Sequence, residues 1–119
     1  MIGSKTRPGF TVRMTIERPW VDVYRFVANP QNLASWASGI SKTAKVRFTE
    51  ANRYGVLDHY VSVDGGPEVY MPMRVLPNGE GAEVLLTIFR QPGVSEEKFG
   101  EDARWVLRDL EALKALLEK

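Results

Sequence analysis

Residues 95–119, SEEKFGEDARWVLRDLEALKALLEK, decide the fold of this 119-residue chain. Ser95 can accept a backbone hydrogen bond as the N-cap, and Glu96 and Glu97 place negative charge in the first turn. The segment therefore predicts a helix roughly 35 Å long. Its apolar residues recur at helical spacing and share one face: Phe99, Ala103, Val106, Leu110, Leu113 and Leu117. So large an apolar face needs the rest of the chain as a partner, which places the helix in the core.

The upstream residues predict strands and two short helices. Residues 10–17 alternate between apolar and polar, the pattern of a half-buried strand. Two short helices follow, one from Pro19 to about Ala28 and one that holds Leu33 and Trp36. Four further strands are predicted, at residues 42–50, 56–63, 68–76 and 83–90. Short turns between them indicate an antiparallel meander. The register of the last strand stays open because both of its faces are apolar.

The widths of these elements predict how they pack. Five strands at about 4.8 Å spacing make a sheet about 24 Å wide, whereas one helix covers roughly 10 Å. The sheet has to curl to bury the helix. We therefore predict an α+β fold in β-α-α-β-β-β-β-α order, with a curved antiparallel sheet wrapped around the C-terminal helix. A sheet curled in this way leaves an apolar gap, the kind of place where small ligands bind.

Composition limits the class of protein. The length predicts a single domain, residues 1–119, with a flexible N-terminus at 1–8. The sequence contains no cysteine, and its 16 basic and 15 acidic residues are scattered, so nothing favours disulfides, thiolate chemistry or nucleic-acid binding. No signal sequence and no membrane-spanning run is visible, which makes a cytoplasmic location the default expectation.

Three parts of the chain match one known superfamily. The first is the run Ile16-Glu17-Arg18-Pro19 with Val23, Tyr24, Phe26, Val27, Asn29-Pro30-Gln31-Asn32-Leu33 and Trp36. The second comprises residues 55–59 and 69–75. The third comprises residues 102–105 and 109–114 of the last helix. These segments resemble the START-like superfamily, also called SRPBCC or helix-grip, and especially its bacterial polyketide cyclase/dehydratase-like members.

The resemblance implies a helix-grip fold and a cavity for a hydrophobic, lipid- or polyketide-like molecule. It does not imply a cofactor. The sequence departs from the pattern between Trp36 and Arg53, where there is room for about one strand and such proteins usually have a hairpin. The cavity is then small, open on that side, or completed by a second subunit.

His59 is the only histidine and the main candidate for chemistry. Strand parity places it on the face of Leu57, Val61 and Val63, so we expect it to point inward and to be neutral. It is a structural histidine, a ligand contact or a general acid/base, in decreasing order of expectation. Asp58 points to the opposite face and cannot form a dyad with it. Without a cysteine or a second histidine, neither a metal site nor a catalytic triad is predicted.

The other predicted ligand contacts are apolar: Trp36, Phe48, Met71, Met73, Val106 and Leu110. Each equally suits an ordinary core, and Trp36 is more typical of an anchor for the short helices. Parity places Tyr70 and Arg74 on the outer face. A one-residue bulge would instead turn both residues into the cavity.

Three functions are compatible with these residues. The first is a module that binds a small hydrophobic ligand between the sheet and the last helix. The second is a polyketide cyclase/dehydratase-type enzyme in which His59 moves a proton. The third is an interaction domain or homodimer that uses Trp105 and Leu116 on the outer side of the last helix.

Overall fold

The computed structural model describes residues 6–37 and 44–119. Three helices and six strands form in this part of the chain, and a single 3-10 turn at Pro30–Asn32 joins the first two helices. The elements are β1 (Gly9–Ile16), α1 (Trp20–Ala28), α2 (Leu33–Trp36), β2 (Ala44–Phe48), β3 (His59–Val63), β4 (Val69–Met71), β5 (Met73–Asn78), β6 (Gly81–Phe89) and α3 (Glu96–Leu117). The predicted α+β architecture with a long C-terminal helix is confirmed.

The strands form two antiparallel sheets of three, in the orders β1-β6-β5 and β2-β3-β4. β4 and β5 are consecutive and separated by Pro72 alone, so the chain passes directly from one sheet to the other. A proline has no N–H to donate to a ladder, which explains why the sheet is interrupted there. The prediction of one strand at 68–76 is therefore wrong, and the single curved sheet is two sheets joined at a bend.

The predicted strand 56–63 is also divided at this bend. Its second half is β3, whereas Val56 forms only an isolated bridge with Arg74. Leu57 donates its N–H to the carbonyl of Met73 at 2.8 Å, so residues 55–57 still follow β5. Inward and outward parity continues across the break, since Leu57 and His59 are both buried.

The core lies between the β1-β6-β5 sheet, α1 and α3. β6 contributes Ala82, Val84, Leu86 and Ile88 on its buried face, which resolves the register that the sequence left open. α1 contributes Val23 and Val27, both fully buried. Pro19 is the N-cap of α1, one position before the first helical residue at which it was predicted.

α3 begins at the Ser95 cap that the sequence predicts. Its C-terminal end is bonded to β1 and to Arg18. The Ser95 side chain accepts a hydrogen bond from the Lys98 N–H at 3.0 Å. At the C-terminal end, Lys114 Nζ donates to the carbonyl of Thr15 at 2.8 Å, and Arg18 donates to the carbonyl of Leu117 at 2.8 Å. These bonds attach the end of α3 to the end of β1.

Two predicted boundaries fall partly on residues outside the described ranges. The predicted strand 42–50 is observed as β2, and its first two residues lie outside them. Of the predicted flexible N-terminus, residues 1–5 also lie outside, but Pro8 already accepts a hydrogen bond from the Arg90 N–H at 2.9 Å, next to β1. Within residues 6–37 and 44–119, no helix is long and apolar enough to cross a bilayer.

Candidate functional site

A cavity of about 580 Å³ lies between the first half of α3 and the two sheets, closed at one side by the end of α2. Most of its wall is apolar, and its charged residues, Lys98, Asp102 and Asp109, lie on α3. The described lining residues are Trp36, Ala37, His59, Val61, Val63, Gly66, Pro67, Val69, Met71, Leu86, Ile88, Phe89, Gln91, Lys98, Phe99, Asp102, Trp105, Val106 and Asp109. The volume is within the range of sites that hold small molecules.

The cavity exists because only half of the apolar face of α3 is packed against the sheet. Leu110 and Leu113 are fully buried in the core, whereas Phe99, Ala103 and Val106 are half-buried. The first half of the helix therefore has apolar side chains that no neighbour within the described ranges fully covers. Together with the β3-β4 face they leave room for an apolar guest.

His59 is the one buried polar residue of the described core, with 4% of its surface exposed. Its Nδ1 lies 2.9 Å from the carbonyl oxygen of Leu57. Because a carbonyl oxygen only accepts, this bond places the proton on Nδ1 of the neutral ring. Burial lowers the pKa of His59, although the Leu57 carbonyl and the charge of Asp58 oppose the effect. The ring is thus neutral at pH 7, and Nε2 presents a lone pair.

The environment of His59 fixes its ring in place. Phe48, opposite it on β2, contacts it with ring centroids 5.0 Å apart and planes tilted by 44°. Among the described residues no hydrogen bond to Nε2 is found, and His59 lines the cavity. The lone pair can consequently be reached from the cavity, and the site can accept a hydrogen bond from a guest.

Trp36 supplies the cavity wall at the end of α2. It is 4% exposed, and its Nε1–H is buried and has no hydrogen-bond partner among the described residues. An unpartnered N–H in an apolar setting lowers stability. The prediction that Trp36 anchors the short helices agrees with its burial, and the residue also lines the cavity.

Four of the seven predicted contacts line the cavity: Trp36, His59, Met71 and Val106. The other three, Phe48, Met73 and Leu110, are not among its described lining residues. Met73 and Leu110 are fully buried in the solid core, because β5 and the second half of α3 pack directly together with α1 and β6. Phe48 lies beside the His59 ring and supports it from β2.

Several apolar lining residues were not predicted: Val61, Val63, Val69, Leu86, Ile88, Phe89 and Phe99. The parity that places His59 inward extends to Val61 and Val63, so the sequence held a signal for these two. It held none for Leu86 and Ile88, because both faces of β6 read as apolar.

Trp105 lies at the edge of the cavity with 43% of its surface exposed. The Arg108 guanidinium carbon is 5.1 Å from the centroid of its ring, a cation–π arrangement. Because Trp105 contributes to the cavity wall, its apolar surface faces a site within the chain. Its predicted part in a dimer or partner contact stays a prediction.

Tyr70 and Arg74 lie on the outer face, as parity predicts, and both bind Asp58. The Asp58 carboxylate accepts hydrogen bonds from the Tyr70 hydroxyl at 3.2 Å and from the Met73 N–H at 2.9 Å, besides those from Arg74. Asp58 is directed away from the cavity, so no acid–histidine dyad forms. The alternative in which a bulge turns Tyr70 and Arg74 into the cavity is wrong.

A more open surface depression of about 660 Å³ lies beside residues 6–8 and 90–95. Its two arginines already have partners, since Arg7 donates to Gln91 at 3.0 Å and Arg90 donates to the carbonyl of Val94 at 2.6 Å. Among the described residues, no group of three or more His, Cys, Asp or Glu side chains could hold a metal ion. The cavity at His59 is therefore the candidate site.

No protein-family model matches this sequence, and no curated protein matches it. Solved structures match its fold. DynU16, a protein of the dynemicin biosynthetic locus, has a TM-score of 0.74 at 16% identity; the match covers 93% of this chain but 47% of DynU16. CalU16 from Micromonospora echinospora has a TM-score of 0.71 at 15% identity, over 92% of this chain and 73% of CalU16.

Two further structures extend the comparison. An AHSA1-like protein from Rhizobium etli has a TM-score of 0.64 at 18% identity, over 96% of this chain and 86% of its own. Ara h 8.0201 has a TM-score of 0.57 at 10% identity, over 92% of this chain and 96% of its own. The chain therefore has the helix-grip fold of the START-like, or SRPBCC, proteins.

Proposed function

We propose that the protein binds a small hydrophobic molecule in the cavity between the first half of α3 and the β3-β4 face. The observation that carries this proposal is the cavity of about 580 Å³, with its mainly apolar wall and a neutral histidine. The fold it shares with DynU16, CalU16 and Ara h 8.0201 supports the proposal, because the helix-grip arrangement holds the helix away from the sheet and leaves such a space.

A neutral fluorescent probe, N-phenyl-1-naphthylamine, tests the proposal directly. Burial in an apolar cavity increases its emission, and a ligand that binds only the native state raises the melting temperature. Both effects are expected with the wild-type protein. An absence of both, with this probe and with a broad panel of apolar compounds, would contradict the proposal.

A matched pair of variants on β3 locates the binding. Val61 lines the cavity, whereas Ser62, the next residue, lies on the opposite face of the strand. Val61→Phe fills part of the cavity and should weaken probe binding at least tenfold. Ser62→Phe adds the same ring on the other face and should leave the affinity within about twofold. Equal effects of the two variants would place the probe elsewhere.

Acid–base catalysis by His59 is the second candidate. It is favoured by one observation, a histidine in the cavity wall whose burial lowers its pKa. Asp58, which could assist the ring, faces the outer side and binds Arg74. Binding without catalysis is therefore the stronger proposal. His59→Gln separates the two functions, because an enzyme would lose about 10²–10⁴-fold in rate, whereas a binding module would keep most of its affinity.

A further inference from the structure

We propose that the ligand is a neutral molecule with a hydroxyl group that donates a hydrogen bond to Nε2 of His59. This inference rests on the proposed binding function and specifies its chemistry. It depends on the direction of one hydrogen bond in the cavity wall and on the charges at the cavity edge.

The direction of the bond follows from the Leu57 carbonyl. It occupies the Nδ1 side of the ring at 2.9 Å and can only accept, so Nδ1 is the donor. The neutral ring has a single proton, which leaves Nε2 as an acceptor. A guest therefore has to bring the proton of this bond, as a hydroxyl does and as a ketone or an ether cannot.

Because His59 is buried, a guest that does not donate a hydrogen bond to Nε2 binds less tightly. His59 is 96% buried, since only 4% of its surface is exposed, and the side chains next to it on the cavity wall, Val61 and Met71, are apolar. An apolar guest that fills the cavity displaces the water that would otherwise reach Nε2. A guest without a donor then leaves this lone pair unsatisfied, which weakens its binding.

The charged residues of the lining, Lys98, Asp102 and Asp109, disfavour an anionic guest. Lys98 is the only basic residue among the described lining residues, and its ammonium lies 2.8 Å from the carboxylate of Asp102. A carboxylate guest would have to compete with Asp102 for this cation. It would also lack the proton that Nε2 requires. Both effects select against an anion.

Four naphthalene derivatives test the inference because they differ only in the substituent at one position. They are 2-naphthol, 2-methylnaphthalene, 2-methoxynaphthalene and 2-naphthoate. With the wild-type protein at pH 7.5, 2-naphthol should bind about three- to tenfold more tightly than 2-methylnaphthalene, the range expected for one neutral hydrogen bond. The methoxy compound, which only accepts, should show no advantage over the methyl compound, and naphthoate should bind most weakly.

Two variants test whether the tighter binding of 2-naphthol depends on His59. His59→Phe keeps an aromatic ring without Nε2, so the ratio of naphthol affinity to methylnaphthalene affinity should fall to one or below, because the hydroxyl then has no acceptor. His59→Leu is the second variant, and should give the same ratio if the phenylalanine variant does not fold. Because the chain has one histidine, imidazole ¹⁵N spectra of the wild-type protein report on this ring alone. Addition of naphthol should shift the Nε2 signal, while Nδ1 keeps its proton.

The outcomes distinguish this inference from the proposed function. Binding of methylnaphthalene and naphthol with equal affinity would support an apolar cavity and overturn the hydroxyl requirement. Tighter binding of the methoxy compound or of naphthoate would also overturn it, since either result means that the site donates to its ligand. No binding of any of the four would count against the cavity itself.

Discussion

The guanidinium of Arg74 donates two hydrogen bonds to the carboxylate of Asp58, from Nε at 3.1 Å and from the second terminal nitrogen at 2.8 Å. The pair joins the start of β3 to β5 at the bend beside Pro72. The same carboxylate accepts from the Met73 N–H, which follows the proline. Asp58 therefore takes the place of the strand partner that the interrupted ladder does not supply.

The first prediction concerns this carboxylate. Asp58→Asn should reduce the free energy of unfolding by about 1–2 kcal/mol at pH 7, because bonds to a charged acceptor are replaced by weaker ones on a partly exposed pair. The bond from Arg74, followed by that from the Met73 N–H, outweighs burial and lowers the pKa of Asp58. This stabilisation is complete above the unfolded pKa of about 3.9. It is lost as the pH falls through the lower folded pKa.

Urea denaturation of wild type and variant at pH 7 and pH 3 measures this effect. The difference between the two proteins should shrink at the lower pH. Glu80→Gln, at an exposed turn before β6, is the control and should change stability little at either pH. A difference for Asp58→Asn that stays the same at both values would contradict the assigned role.

The second prediction concerns the pH dependence that His59 confers. Burial lowers the pKa of His59 in the folded state, so the unfolded chain binds a proton more readily. Stability should then be complete above the unfolded pKa of about 6.5 and fall as the pH decreases below it, by at most about 1.4 kcal/mol per pH unit. Urea denaturation between pH 7 and pH 5.5 should show this slope in the wild type and not in His59→Gln. An NMR titration of His59 with a midpoint above 6.5 would refute the prediction.

The third prediction compares two glycines with positive φ. Gly55 has φ 73°, and a Cβ there would overlap the carbonyl oxygen of Val75. Gly79 has φ 58° and open space around it. Gly79→Ala should cost about 1 kcal/mol of backbone strain, whereas Gly55→Ala should cost about 3 kcal/mol or more. Thermal denaturation of the two variants measures the difference, and similar losses would show that residues 55–57 are not held against β5.

The fourth prediction concerns the indole N–H of Trp36, which has no partner in residues 6–37 and 44–119. Trp36→Phe removes apolar area, which destabilises, and also removes a buried donor that costs about 1–3 kcal/mol when it is unpartnered. The two effects should nearly cancel. Trp20→Phe is the matched control on α1, where the indole N–H is not a buried unpartnered atom, and should destabilise by about 1 kcal/mol. A larger loss for Trp36→Phe than for the control would show that the N–H has a partner in solution.

Local patterns were sufficient for most of the fold. Alternation placed Leu57, His59, Met73 and Val75 inward, and the Ser95 cap and apolar face defined α3. These features depend on residues near one another in the chain. The division into two sheets was not predicted, although Pro72 was the signal for it. A proline indicates where a β-ladder is interrupted. Whether the strand ends there or the chain bends into a second sheet depends on residues that are distant in the sequence.

The candidate site was predicted in part, for a related physical reason. His59 and Met71 followed from strand parity, but parity cannot tell a side chain that lines a cavity from one in a packed core. Met73 and Val106 both belong to predicted inward faces, yet Met73 is sealed in the core and Val106 is half-buried at the cavity. Which of them meets empty space depends on how far α3 stands from each sheet, a property of the assembled fold.

The two halves of α3 have different roles, because the second half is packed in the core and the first half borders the cavity. The bonds of Lys114 and Arg18 and the buried Leu110 and Leu113 hold the second half in place. The first half instead contributes Phe99 and Val106 to the cavity wall. Substitutions in residues 99–106 should therefore change the shape of the cavity while the packed second half of the helix stays intact, which makes α3 a convenient starting point for engineering.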